Sequence, residues 1–163
     1  MYVVFYVSIQ VLIIDKIHLF WVTTPFLYLY VIVKMPINMP RSQMIALSFL
    51  LGIVIDIFSN TLGMHAAACT LAGMFRNQLL YVFASKELEE GVTPSYQTLG
   101  VSSFMGYVLS LTVLHHIALF SIESFSLFDP LFLLFRILAC VIFTTLLVLI
   151  VEAFNIKGKG DET

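Results

Sequence analysis

Six apolar runs with short polar connections leave this chain few ways to fold. They cover residues 2–14, 17–33, 43–58, 65–85, 97–120 and 130–154, and a polar tail, 155–163, follows. A membrane-crossing helix takes roughly 20 mostly apolar residues, which most of these runs approach. The first is short, about 20 Å if helical. Of the 163 residues, 60% are hydrophobic and 11% charged, with a mean hydropathy of +1.01. A water-soluble domain could not hide that much apolar surface, so a bilayer is the expected solvent. Lipid cannot satisfy the open edges of a sheet, and the runs are too long for barrel strands. The expected fold is therefore an all-α transmembrane bundle of six spans over residues 1–154, with no room for a separate soluble domain. The first run lacks a basic start and a small-residue cleavage site, so it reads as part of the bundle rather than a signal peptide.

Lysine and arginine in short loops collect on the cytoplasmic side of a membrane. With six spans, Lys34, Arg41, Lys86, Lys157 and Lys159 share a side with both termini, against Lys16 on the other. Both termini are therefore expected in the cytoplasm, with the 59–63 turn and the loop bearing Glu123 outside. The net charge of −2 provides no footprint for nucleic acid. Cys69 and Cys140 lie within separate apolar runs and read as small buried hydrophobes.

The most distinctive stretch is FLLGIVIDIFSNTLGMHAAA, residues 49–68. Ser48, Gly52 and Asp56 are spaced i, i+4, i+8, which puts them on one helical face. A glycine there lets another backbone come close. A carboxylate at mid-bilayer costs about 2.5–3.5 kcal/mol, and less near a helix end. Asp56 reads either as an acid touching headgroup water or as a group facing the bundle, where it would order the turn or meet a partner. Arg76 lies about 12 Å from the cytoplasmic end of its run, within reach of snorkelling. Arg136, in the outward half of the last run, matches Asp56 in depth better than Arg76 does, so an Asp56–Arg136 pair is expected.

Other features have plainer readings. Pro25 should kink the second run. His115 and His116 are adjacent and point to different faces, so one interfacial histidine is expected. Ser102, Gly106 and Ser110 form a small-residue stripe, and Ala66, Ala67, Ala68, Ala72 and Gly73 crowd the fourth run. Both patterns suit interior helices, whereas the Leu- and Phe-rich sixth run suits lipid or a partner. No His-Glu-x-x-His, Gly-x-Ser-x-Gly or Gly-rich phosphate loop occurs. Asp15, Asp56 and Asp129 sit at run ends, so they build no paired intramembrane acid site. No catalytic set, metal or cofactor is expected.

Taken in order, the chain has Gln10 in a short first run, Pro25 in an aromatic segment, a Pro-rich loop, the 49–68 stretch and an arginine in the fourth run. Phe49, Leu51, Gly52, Asp56, Gly63, Met64, His65 and Ala66 follow the pattern of one family's most recognisable stretch. In these residues and in its overall length the chain resembles the rod shape-determining protein MreD family. The resemblance implies a non-enzymatic inner-membrane subunit of the bacterial cell-elongation machinery. Such a subunit associates with the bitopic protein MreC, and through it with the actin-like MreB filament and the peptidoglycan synthases of the lateral wall. The family is also similar in architecture to the substrate-binding subunits of energy-coupling-factor vitamin transporters, which supplies an alternative. A carrier should gather polar residues at the bilayer midplane. Here the midplane offers Pro25, Arg76 and a few Ser and Thr, which favours a scaffold.

Overall fold

A computed structural model of the protein describes residues 26–37, 39–84, 91–123 and 130–160. The described residues form helices and no strand: α1 Leu29–Val33, α2 Arg41–Ser59, α3 Met64–Phe83, α4 Tyr96–Leu99, α5 Val101–Glu123 and α6 Pro130–Gly160. Among the described residues, three helices are long and apolar enough to cross a membrane: α2, α5 and the Leu131–Asn155 part of α6. The chain is thus a membrane protein built of helices. The expected first span, and Pro25 with most of the second, lie outside the described residues.

Local chemistry sets the helix ends. Pro40 caps α2 from outside, and the Met44 N–H reaches its carbonyl at 3.0 Å. The far end stops at Asn60, whose φ of 54° is a left-handed value that asparagine tolerates. Gly63, at φ 77°, then opens α3. The run expected at 97–120 is interrupted at Gly100, φ 83°. Before the break, Ser95 and Thr98 form a reciprocal capping box that fixes the short α4.

α2 and α3 run antiparallel along a seam of two glycines. A Cβ on Gly52 would lie 2.6 Å from the His65 carbonyl oxygen and 2.7 Å from the Ala66 nitrogen. A Cβ on Gly73 would lie 2.7 Å from Ser48 Cβ and 3.3 Å from the Met44 carbonyl oxygen. Small residues let two backbones approach this closely. α3 also packs on α5, and α5 packs on α6. α1 lies among them, with Leu27 to Val33 all buried. It runs parallel to α3, with Tyr28 beside His65 and Val33 beside Arg76.

The outer faces are apolar. On α2, Leu50, Val54, Ile57 and Phe58 are exposed; on α6, Leu131, Phe135, Leu138, Ile142 and Phe154 are exposed. The small-residue stripe of α5 is not its packed seam. Ser102 is exposed and Ser110 half-buried, while Phe104, Tyr107, Val108, Leu111 and Leu119 are buried. Larger side chains fill the seam, and Gly106 of the stripe meets the Phe83 ring.

Candidate functional site

The polar side chains of the bundle gather in three places around α1 and the α2–α3 turn. The first is the turn itself. Among the described contacts, α3 has no side-chain cap of its own, because Gly63 occupies the N-cap position. Asp56, one helix away, takes that role. Its Oδ1 accepts the His65 N–H at 3.0 Å and its Oδ2 accepts the Ala66 N–H at 2.9 Å. The Thr61 hydroxyl donates to Oδ1 at 2.5 Å. A helix N-terminus carries unpaired N–H groups and a partial positive charge, and a carboxylate answers both. Asp56 is only 6% exposed, so it is not a headgroup-facing acid. Gly52, one turn back, seats Ala66 so closely that this cap can form.

The expected Asp56–Arg136 pair does not exist. Arg136 donates to Glu123 at 2.7 Å, and its guanidinium carbon lies 4.7 Å from the centre of the Phe120 ring. The reason is helix order around the bundle: α6 packs chiefly on α5, whereas Asp56 faces α3. Matching depth alone did not make the two residues neighbours.

The second place is the lower end of α1. Arg76 does not snorkel; it is fully buried. Its Nε donates to the Tyr107 hydroxyl at 3.1 Å. Nη1 donates to the Pro36 carbonyl at 3.3 Å and to Asn77 Oδ1 at 2.9 Å. Nη2 donates to the carbonyls of Val33, at 3.3 Å, and Met35. A guanidinium has five N–H groups, and all five have acceptors. Three of these are the carbonyls at and beyond the C-terminus of α1, the negative end of a helix. Close by, Glu152 accepts from the Tyr30 hydroxyl at 2.6 Å and from Lys34 Nζ at 3.1 Å. Lys34 also donates to the Pro94 carbonyl at 2.8 Å, and Asn155 donates to the Tyr30 hydroxyl at 2.8 Å. Tyr96 donates to the Leu149 carbonyl at 3.0 Å, and burial together with the Glu152 charge raises its phenol above the ordinary value.

The third place surrounds the upper end of α1. The Tyr28 hydroxyl lies 2.8 Å from His65 Nδ1 and 3.1 Å from His115 Nε2. Cys69 Sγ is 3.9 Å from the same His115 nitrogen. His116 Nδ1 is 2.8 Å from the Thr112 carbonyl, and its Nε2 is 3.4 Å from Thr144 Oγ1. That hydroxyl oxygen accepts the Phe26 N–H at 3.1 Å. Both adjacent histidines are fully buried, which overturns the expectation of one at the interface. They face different neighbours, α3 for His115 and α6 for His116, and both faces of α5 are covered there. Among the described residues, no three His, Cys, Asp or Glu side chains are grouped to hold a metal ion.

Of the residues singled out from sequence, Gly52, Asp56, His65 and Ala66 meet at one point. Gly63 shapes the adjoining backbone and is exposed. Arg76 lies at the other end of α1, and Arg136 stands apart. Tyr28, Tyr30, Tyr107, Thr144 and Glu152 escaped the sequence reading, and Lys34 entered it only as a loop charge that sets orientation. Glu152 did carry a signal, as an acid inside an apolar run. The tyrosines carried none, since a bonded phenol and a merely buried one look alike in a sequence. Comparison with family models, curated proteins and solved structures finds no match.

Proposed function

We propose that this chain is a non-enzymatic scaffold subunit of the bacterial cell-elongation machinery, of the kind the MreD resemblance implies. It would cross the plasma membrane six times with both termini in the cytoplasm. It would hold a bitopic MreC-like partner, and through it support an MreB-like filament and lateral peptidoglycan synthesis. One observation carries the reading: residues of the family-like stretch, Gly52, Asp56, His65 and Ala66, lock two helices and their turn together. That is a building role for the motif, suited to presenting a fixed turn and fixed outer faces. The apolar sides of α2 and α6 offer membrane-embedded surface to a partner's helix.

The test is depletion of the protein in a rod-shaped host. Rounded cells with lost lateral wall synthesis are the expected result. Cells that keep their rod shape after full depletion would overturn the proposal.

A further inference from the structure

The two ends of α1 are held by different chemistry. The lower end is held by charges, Arg76 and the Lys34–Glu152 pair. The upper end is held by imidazoles, a phenol, a thiol and a threonine. Phe26 lies at that end, with its ring centre 5.5 Å from His65, 6.0 Å from His115 and 5.3 Å from His116.

The hydrogen-bond roles around two of these rings can be worked out. His116 faces a carbonyl with Nδ1, so Nδ1 carries its proton and donates to Thr112. Its bare Nε2 then accepts from the Thr144 hydroxyl, whose oxygen accepts the Phe26 N–H. His115 Nδ1 is buried with no hydrogen-bond partner. An unpaired lone pair is better tolerated there than an unpaired N–H. The His115 proton therefore sits on Nε2, toward Tyr28 and Cys69. Both rings are neutral in this arrangement.

We infer that the upper end of α1 is a proton-sensitive latch, closed by neutral His115 and His116 and loosened when either ring takes up a proton. A proton on His115 places an N–H on Nδ1, which has no acceptor. A proton on His116 turns Nε2 into a donor, so the Thr144 hydroxyl loses the acceptor for its own proton and must turn while its oxygen takes a second N–H beside that of Phe26. Either change puts a cation in a buried position where, among the described residues, no carboxylate is bonded to the ring. Among the described residues, Tyr28 at the N-cap of α1, His65 and Cys69 from α3, and Thr144 from α6 face these rings, and none of them is an anion. Beyond them, Arg136 lies over Phe120, the ring next to His116, and adds positive charge. The nearest acid on α2 is Asp56, whose two oxygens cap the His65 and Ala66 N–H groups. The rings are also 5.4 Å apart, so two protons would repel each other. A cation–π contact with Phe26 offsets only part of this loss, because a buried charge without a counter-charge loses its hydration. Acid therefore favours release of the segment from Phe26 to Leu29, upstream of the contacts that Tyr30 makes with Glu152 and Asn155 and of the carbonyls that Arg76 holds.

Hydrogen exchange on the full chain in lipid nanodiscs tests this, with rates corrected for the intrinsic effect of pH. Protection of the amides of residues 29–31 should fall as pH drops below the ordinary imidazole value, about 6.5, by about tenfold per pH unit for each ring that is freed to take up a proton. Protection at Met35 and Ile37 should stay level. His115→Gln keeps an N–H donor near the Nε2 position and cannot titrate; combined with His116→Gln it should flatten the profile. Level protection at 29–31 in the wild type would overturn the inference, and so would a parallel loss at Met35 and Ile37, which marks general acid unfolding. These readings need no variant. An undiminished slope in a folded double variant would equally overturn it.

Discussion

Asp56 Oδ2 accepts the Ala66 N–H at 2.9 Å, so a side chain near the end of α2 caps the start of α3. The same carboxylate holds the His65 N–H and the Thr61 hydroxyl. Asp56→Ala would leave two α3 N–H groups unpaired in a buried setting, at a cost of about 2–3 kcal/mol. Asp56→Asn should recover at most half, since its single carbonyl oxygen replaces two carboxylate oxygens. Unfolding titrations in mixed micelles read this directly. An Asp56→Ala variant as stable as the wild type would refute the capping role.

Gly52 and Gly106 should answer differently to the same change. A Cβ at 52 meets backbone atoms of His65 and Ala66, which cannot step aside without parting α2 from α3. Gly52→Ala should therefore cost about 1–3 kcal/mol, as overpacking does elsewhere. A Cβ at 106 meets the ring of Phe83, a side chain that can turn. Gly106→Ala should cost clearly less in the same unfolding measurement.

Arg76 is not replaceable by lysine. An ammonium has three N–H groups where the guanidinium uses five. Arg76→Lys would leave buried carbonyls beyond the end of α1 without donors, at a cost of at least ~2 kcal/mol. Thermal melting of the variant in detergent should show the loss. An unchanged melting temperature would mean those carbonyls have another source of donors.

Lys34 and Glu152 should behave as a coupled pair. Glu152 is 1% exposed, and Lys34→Met would leave its carboxylate without the 3.1 Å cation. Breaking a buried pair from one side costs about 3–5 kcal/mol, and the part exposure of Lys34 places this case at the low end. Lys34→Met with Glu152→Gln should be more stable than Lys34→Met alone. A double-mutant cycle reads the coupling, and strictly additive effects would argue against it.

How much of this was readable beforehand depended on distance along the chain. Asp56 is nine and ten residues from the N–H groups it caps. A helix end, a short turn and a helix start bring such residues together whatever the rest of the bundle does, so the stretch stood out early. Tyr28 and His115 are 87 residues apart, and Lys34 and Glu152 are 118 apart. Their meeting depends on which helices are neighbours, and run lengths carry no such information. The same gap misdirected Arg136, whose expected depth matched that of Asp56 but whose helix packs elsewhere. The Gly100 break was hidden inside an apolar run, because hydropathy does not register a positive φ. The helical, membrane-embedded character was legible because it follows from composition and run length alone.

The central claim is that a rigid bundle of this kind presents fixed surfaces to a single-span partner. Affinity purification from native membranes, with quantification of whatever co-purifies, tests it most directly. The account predicts one bitopic protein retained in constant ratio with the wild type, and less of it with Asp56→Ala at equal membrane abundance. No retained single-span protein, together with tight binding of a vitamin-sized ligand by the isolated chain, would contradict it.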